Sequence, residues 1–394
     1  MTVIESAPQP ELVQRARDLV PLIQKHAAWQ EENRVLHSEV LDALKEAGLL
    51  RLRFPARYGG TVPDARTVVD VVAELGHGDG STGWTISTMT IGAWLAGLLP
   101  DEAQDEIFAN PEDRFCGSVG PNGVAVKTEG GYILNGRWHF NTGAPQAQWD
   151  THSIMIDLGD GNMVPGMAVV PVSDLTIVDD WHTVGLRGTG SVTTIAQDLF
   201  VPENRVLNMV PVMMHNQHAS KINADYQAWR VPFLQFAVAV AAAPALGMAR
   251  AAWDAFMERL PSRRITYTNY EKQIEATLTH LQVAEARVKI DEAEFHLHRA
   301  VRRLDEKALS GEPWTLEDRA AARMDAGAVC ARAKEAVDIL NNASGGSSVY
   351  SEVPIQRIER DVQTINLHGI MHPNTNLETY GRVLCGLEPN TMFL

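Results

Sequence analysis

Three loops carry side chains whose types and spacing suit the binding of a flat ligand: CGSVGPNG at 116–123, GRWHFNTGAPQAQW at 136–149 and GLRGTGS at 185–191. Their glycines let backbone amides approach such a ligand, and their hydroxyls supply short, rotatable hydrogen-bonding groups. Each alone also reads as a turn; together, with helical segments on either side, they point to a site. Other chemical patterns fail on context. HGDGSTG holds Gly78, Gly80 and Gly83 in the G-x-G-x-x-G spacing, but that fingerprint needs a strand before it, and VVDVVAELG reads as helix. The segment is therefore expected to be a helix-ending loop. His296 and His298 sit two apart on an expected helix, about 200° from one another, and cannot share a metal. With neither HExxH nor G-x-S-x-G in the chain, a metalloenzyme and a serine hydrolase are both unsupported, and no metal site is expected.

The composition narrows the partners. The 394 residues include 34 Lys+Arg and 49 Asp+Glu, a formal charge of −15, which disfavours nucleic acid and anionic membranes and favours small molecules or proteins. A hydrophobic share of 45% against 21% charged is that of a chain that folds throughout. Cys116, Cys330 and Cys385 are odd in number and widely spaced; they read as buried thiols of a reducing cytosol. MTVIESAPQPELVQRARDL lacks the basic and apolar regions of an export signal, so a cytoplasmic location is expected. The most apolar stretch, 231–249, contains Pro232, Gln235 and Pro244 and suits a helix buried in protein rather than in lipid.

The elements that must position the loops follow from periodicity. Leu12, Ala16, Leu19 and Ile23 recur at helical spacing, and VLDALKEAG ends on Gly48 as a C-terminal cap. Near Cys116 the period shortens: Val124, Val126 and Thr128 alternate, Gly130–Gly131 offers a turn, and Tyr132, Ile133 and Leu134 return as a hairpin. SIMI (153–156) and MAVVPV (167–172) extend the β-region. Leu278, Leu281, Ala284 and Val288 mark one face of a long helix expected from Glu271 to about Leu309, and 317–342 gives another. Such helices need partners, hence a four-helix bundle. The boundaries read as an N-terminal helical domain at 1–114, a middle β-domain at 115–206 and a C-terminal bundle at 207–394.

Several separated segments, in order, resemble the acyl-CoA dehydrogenase fold over nearly the whole chain. They are AGLLRLRFPARYGG (47–60), DGSTGW (79–84), GRWHFNTG, WHTVGLRGTGS (181–191), DLFVPENRV (198–206) and GGSSVYSEVPIQRIERD (345–361). The resemblance implies a mainly α protein with a central β-barrel-like domain between an N-terminal helical bundle and a C-terminal four-helix bundle. The family's dehydrogenases carry their catalytic glutamate eight residues past the Arg-Asp aspartate, Asp361 here, and that position holds Gly369. Some carry it instead on the central helix, where Glu258 would be the counterpart, in surroundings that do not suit it. Dehydrogenation of an acyl-CoA is therefore the alternative rather than the first reading, and the lack of an Arg or Lys cluster for CoA phosphates weakens it further.

RDVQTINLHGIMHPNTNLETYGR (360–382) looks instead like the two-component flavin-dependent monooxygenases built on this fold, which take reduced flavin from a separate NAD(P)H-dependent reductase. That resemblance implies FADH2, with FMNH2 possible, and O2 as co-substrate, a flavin 4a-hydroperoxide, and hydroxylation of an aromatic such as an indole or phenol, with an amine N-hydroxylase close behind. A non-catalytic flavin or ligand carrier is the alternative from another class. By the same resemblance His368 approaches the reacting edge of flavin and substrate, and His372 is a second candidate. Phe140 lies against the isoalloxazine ring, and Thr142 meets its central nitrogen, holding a proton whose loss would expel hydrogen peroxide. Ser118 and Val119 touch the pyrimidine end. Asn342, Gly345 and Gly346 match a segment that contacts flavin bound mainly by a neighbouring subunit, which implies a homotetramer or homodimer. Trp84, Met89, Met213, Tyr226, Trp229 and Phe233 are expected to line an apolar substrate pocket.

Overall fold

Two aspartates start the helices at the centre of the N-terminal domain. Asp64 accepts the Thr67 amide proton at 2.9 Å and Asp79 accepts that of Thr82 at 2.9 Å, so each caps amides that have no partner within the helix. In the computed structural model, which describes residues 3–159 and 161–394, this domain comprises α1 (Pro10–Asn33), α2 (Ser38–Glu46), α3 (Ala65–Gly78), α4 (Gly80–Ala96) and α5 (Asp101–Ile107). The loop expected at HGDGSTG is a single residue: α3 runs to Gly78, α4 starts at Gly80, and only Asp79 stands between them, as the cap of α4.

The strands are β1 (Phe115–Ser118), β2 (Gly123–Thr128), β3 (Gly131–Asn141), β4 (Trp149–Asp157), β5 (Met163–Pro171), β6 (Thr176–Val178), β7 (Val192–Pro202) and β8 (Val206–Asn208). They form one mixed sheet in the order β6-β7-β3-β2-β4-β5-β8, with β1 also paired to β4. Pairing of β1 and β2 with β4 is parallel and the rest antiparallel. Among the described residues the path ends at β6 and β8, and β8 runs to Asn208; the sheet is the central β-domain that the sequence led us to expect between two helical sets. The hairpin of β2 and β3 turns between Thr128 and Gly131, where Gly130 takes φ +74°.

The second helical set is α6 (Val210–His215), α7 (Phe233–Arg259), α8 (Thr277–Ser310), α9 (Leu316–Ala343), α10 (Pro354–Asn366) and α11 (Pro373–Leu384). α8 starts six residues later than Glu271, because a short 3-10 turn at Gln273–Glu275 precedes it. Helix α7 is apolar on every side and 89% buried over its most apolar window, the pattern of a central helix. Cys116 and Cys330 are buried, whereas Cys385 is exposed: it lies just past the end of α11, outside the core.

Helices α3, α4 and α7 meet almost backbone to backbone. A Cβ added to Gly247 would fall 2.0 Å from the Ala73 carbonyl oxygen, one on Gly83 2.6 Å from Gly76 Cα, and one on Gly76 2.8 Å from Pro244 Cα. Both α4 and α7 wall the cavity described below, so these contacts set its width. Gly247→Ala is expected to destabilise the protein by about 1–3 kcal/mol or more through overpacking; urea denaturation against the native chain measures it, with little change expected for Gly381→Ala, where a Cβ meets open space.

Candidate active site

The end of β3 is shaped by a backbone irregularity. Phe140 takes a left-handed φ of +61° and the β3–β7 register shifts between Trp138 and Asn141. The Phe140 ring is thereby turned out, 72% exposed, while Thr142 turns inward and is buried. Beneath them the Asn141 amide donates to Asp150 and, at 2.9 Å, to Thr194 Oγ1. Burial pushes the Asp150 carboxyl up to about 7. His152, stacked on Trp138 at 3.7 Å and lowered to about 3 by burial, lies 3.1 Å from Asp150 without hydrogen-bond alignment. Both directions describe a neutral polar layer under the loop.

The three hydroxyl-rich loops converge. Gly143 N–H donates to the Thr189 carbonyl at 3.0 Å, stitching the second loop to the third. A Cβ on Gly117 would lie 2.3 Å from Thr151 Oγ1, so only glycine lets the first loop approach β4. Together they floor a cavity of about 530 Å³. Its walls are Trp84, Thr88, Ile91 and Leu95 of α4, Leu234, Ala237, Val238 and Ala241 of α7, and Ile365, His368 and Met371 at the end of α10; Ser118, Val119, Phe140, Thr142 and Ser191 complete it. Among the described residues no Asp, Glu, Lys or Arg lines it.

Thr142 Oγ1 accepts the Trp84 indole proton at 3.1 Å and lies 2.7 Å from Ser191 Oγ. Ser191 Oγ lies 2.7 Å from Thr189 Oγ1, which donates to the Leu186 carbonyl at 2.8 Å. Leu186, at φ +49°, also accepts from Trp181 Nε1 at 3.0 Å and donates its amide to Asp361 Oδ1 at 2.6 Å. Burial and the nearby Asp79 carboxylate raise the Asp361 pKa. His368 packs against Trp84 in the cavity lining, ring centroids 5.4 Å apart and tilted by 58°. Its Nδ1 is buried with no partner, and burial lowers its pKa from 6.5 to about 4.

Several residues expected at the pocket lie elsewhere. Met89 packs in the N-terminal core with Leu12, Ile23 and Leu75; five positions from Trp84, it points about 140° away around the helix. Trp229 is fully buried and donates to the Trp94 carbonyl at 3.1 Å. Tyr226 packs edge-on against Trp229 and Phe233 stacks on Trp94, while Met213 rests against the same core. His372 begins α11 away from the cavity lining, its Nδ1 unpartnered. Asn342, Gly345 and Gly346 are exposed at the end of α9 and do not line the cavity. Glu258 lines a different cavity, with His77 and Asp361. His296 pairs with Asp325 and His298 with Asp70, on separate faces as their spacing requires. His26, His37 and Glu39 bring ligand atoms within 4.8 Å of one another, but Glu39 is engaged by Lys25 and His26, and His37 Nδ1 accepts the Glu39 amide.

Sequence reasoning missed the linked hydroxyls of Thr189 and Ser191 and the α7 wall. The readable signals were the TGS triplet and the spacing 84, 88, 91, 95 along α4.

A flavin ring fits these residues: the slot is uncharged, Phe140 stands at its edge, Thr142 offers a buried hydroxyl, and an unpartnered imidazole nitrogen awaits a donor or acceptor. Because the folded His368 pKa lies below the ordinary value, the ring is neutral at pH 7, and the stability present above pH 6.5 is lost as pH falls toward about 4. A protonated imidazole quenches a neighbouring indole, so the acid titration of tryptophan fluorescence is expected to contain a component with a midpoint near pH 4 that disappears in His368→Gln.

The acyl-CoA dehydrogenase N-terminal domain model matches residues 7–109 and the acyl-CoA dehydrogenase C-terminal domain model residues 239–373. The chain is 31% identical over 393 residues to the oxygenase subunit HsaA, a flavin-dependent monooxygenase of Mycobacterium tuberculosis, covering 99% of each chain. It is 29% identical to the oxygenase component of the FADH2-dependent resorcinol hydroxylase of a Rhizobium species, covering 100% of both. The solved structure of XiaF from a Streptomyces species, in complex with FADH2 and glycerol, superposes with a TM-score of 0.90 at 30% identity, covering 98% of this chain and 97% of that one. The chain thus belongs to the acyl-CoA dehydrogenase-fold family of flavin-dependent monooxygenases, as an oxygenase component that uses FADH2.

Proposed function

We propose that this oxygenase hydroxylates a small phenolic or indolic ring, with the overall balance ArH + FADH2 + O2 → ArOH + FAD + H2O. The observation that carries the reading is a cavity without charged lining that holds both the buried Thr142 hydroxyl and His368, whose Nδ1 has no partner and whose pKa burial lowers. Bound reduced flavin supplies the activation of dioxygen. Thr142 would accept a hydrogen bond from the flavin N–H, Phe140 would cover the ring edge, and Ser118 and Val119 would meet the polar end. His368 Nδ1 takes the hydrogen bond, and then the proton, of the substrate's O–H or N–H, a task for a base already free of its own proton. The walls from α4 and α7 exclude water. The resorcinol hydroxylase similarity supports a phenol. An acyl-CoA dehydrogenase would need a carboxylate at the cavity for the α-proton, and an amine hydroxylase benefits from one for the ammonium; the lining offers neither.

The assay supplies chemically reduced FAD and oxygenated buffer with a panel of phenols and indoles. The native chain is expected to yield hydroxylated product. Thr142→Val is expected to bind flavin but divert most of it to hydrogen peroxide, and His368→Ala to lose about 10²-fold or more in hydroxylation. Bleaching of bound oxidised FAD by an acyl-CoA would overturn the reading.

Reading the protein as a homotetramer or homodimer of the cytoplasm, we take the flavin to be shared between copies. Asn342, Gly345 and Gly346 lie outside the cavity, so they meet its flavin only from a neighbouring copy, and Leu278, Leu281, Val288 and Phe295 expose an apolar stripe along one face of α8. Sedimentation is expected to give a multiple of the 43.3 kDa chain, and Leu281→Glu together with Phe295→Glu to shift it to smaller species with weaker FAD binding.

A further inference from the structure

We propose that Thr189 and Ser191 are positioning residues that make the Thr142 hydroxyl read the oxidation state of the flavin. The inference rests on the flavin reading above and on a count of protons along a chain whose two ends are fixed. At one end the indole Nε1 of Trp84 can only donate, and it donates to Thr142 Oγ1 at 3.1 Å. At the other end the Leu186 carbonyl can only accept. The Thr189 hydroxyl lies 2.8 Å from it and must give it its one proton. With that proton spent, Thr189 Oγ1 can only accept across the 2.7 Å contact to Ser191, so the Ser191 hydroxyl donates to it. With the Ser191 proton spent, the 2.7 Å contact to Thr142 is filled by the Thr142 proton.

Thr142 therefore has no proton left to offer the cavity. One lone pair of its oxygen holds the Trp84 proton and the other faces outward as an acceptor. The central nitrogen of reduced flavin carries a hydrogen and complements that lone pair. In oxidised flavin the same nitrogen presents a lone pair of its own, and two acceptors meet. The polarised chain thus favours entry of the reduced cofactor and release of the oxidised one. Leu186 is well suited to end the chain because it is anchored on both sides: its amide donates to Asp361 and its carbonyl also receives the Trp181 indole. Removing Ser191 or Thr189 frees a proton, and Thr142 can then turn its own hydrogen toward the cavity.

The test is anaerobic binding to the intact protein, with no turnover. Dissociation constants are measured for oxidised FAD, chemically reduced FAD and reduced 5-deaza-FAD, which has carbon in place of the central nitrogen and no N–H there. The native chain is expected to bind reduced FAD at least tenfold more tightly than either of the others. In Ser191→Ala and in Thr189→Ala the preference for reduced over oxidised FAD is expected to fall by about tenfold, the equivalent of one hydrogen bond, chiefly through tighter binding of the oxidised form. Thr189→Ser, which keeps the hydroxyl, is expected to restore the preference; it also serves as the folded reference should an alanine variant prove unstable. Flavin binding with an unchanged redox preference in these variants would overturn the inference. Failure of the native chain to bind flavin in either state would instead overturn the functional reading beneath it.

Discussion

The Leu186 carbonyl fixes the polarity of the site. It belongs to a residue held at positive φ, a conformation that a branched side chain adopts only when its surroundings enforce it. Three contacts do so: Asp361 from α10 on the amide, and Trp181 and Thr189 on the carbonyl. Asp361 lies on α10, seven residues before His368, which follows the end of that helix. The Leu186–Asp361 contact thereby ties the third loop to α10. Asp361 is buried and its pKa is raised by desolvation and by Asp79; a charge there is costly unless hydrogen-bonded, and the Leu186 amide supplies such a bond.

The helices contribute by withholding charge. α7 carries alanine, leucine and valine toward the cavity, and its close approach to α3 at Gly247 and Gly76 leaves no room for larger side chains behind it. A dry, uncharged wall strengthens the few polar contacts that remain, and it is the cause of the low pKa of His368. The same burial that keeps water from the chemistry thus holds the imidazole ready as an acceptor. The chain carries a net charge of −15, yet among the described residues no carboxylate lines this space.

Much of the fold was legible because its signals are local. Period 3.6 marked α1 and α8, alternation marked β2 and β3, and the helical flanks of HGDGSTG separated it from a phosphate loop. Less legible was what depends on how elements meet. The three loops were found because glycine and hydroxyl residues advertise a close approach, whereas the choice of Met89 beside Trp84, of Phe233 instead of Leu234, and of Trp229 instead of Ala237 or Ala241 needed the rotation of each helix about its axis. The direction of the Thr142–Ser191–Thr189 chain was out of reach from sequence, since it is decided by Trp84 and the Leu186 carbonyl, residues 58 and 44 positions from Thr142.

Position 369 shows why the fold's older chemistry is missing here. A Cβ on Gly369 would meet nothing within 4 Å, so packing does not demand glycine there; a glutamate could stand at the cavity without steric penalty. Its carboxylate, however, would lie in a space lined by no Lys or Arg among the described residues, where its own pKa would rise. Removing the side chain leaves the neutral imidazole as the titratable group at that end of the cavity and gives its volume to the acceptor molecule. On the proposed function, Gly369 leaves room in the cavity for an aromatic ring beside the imidazole.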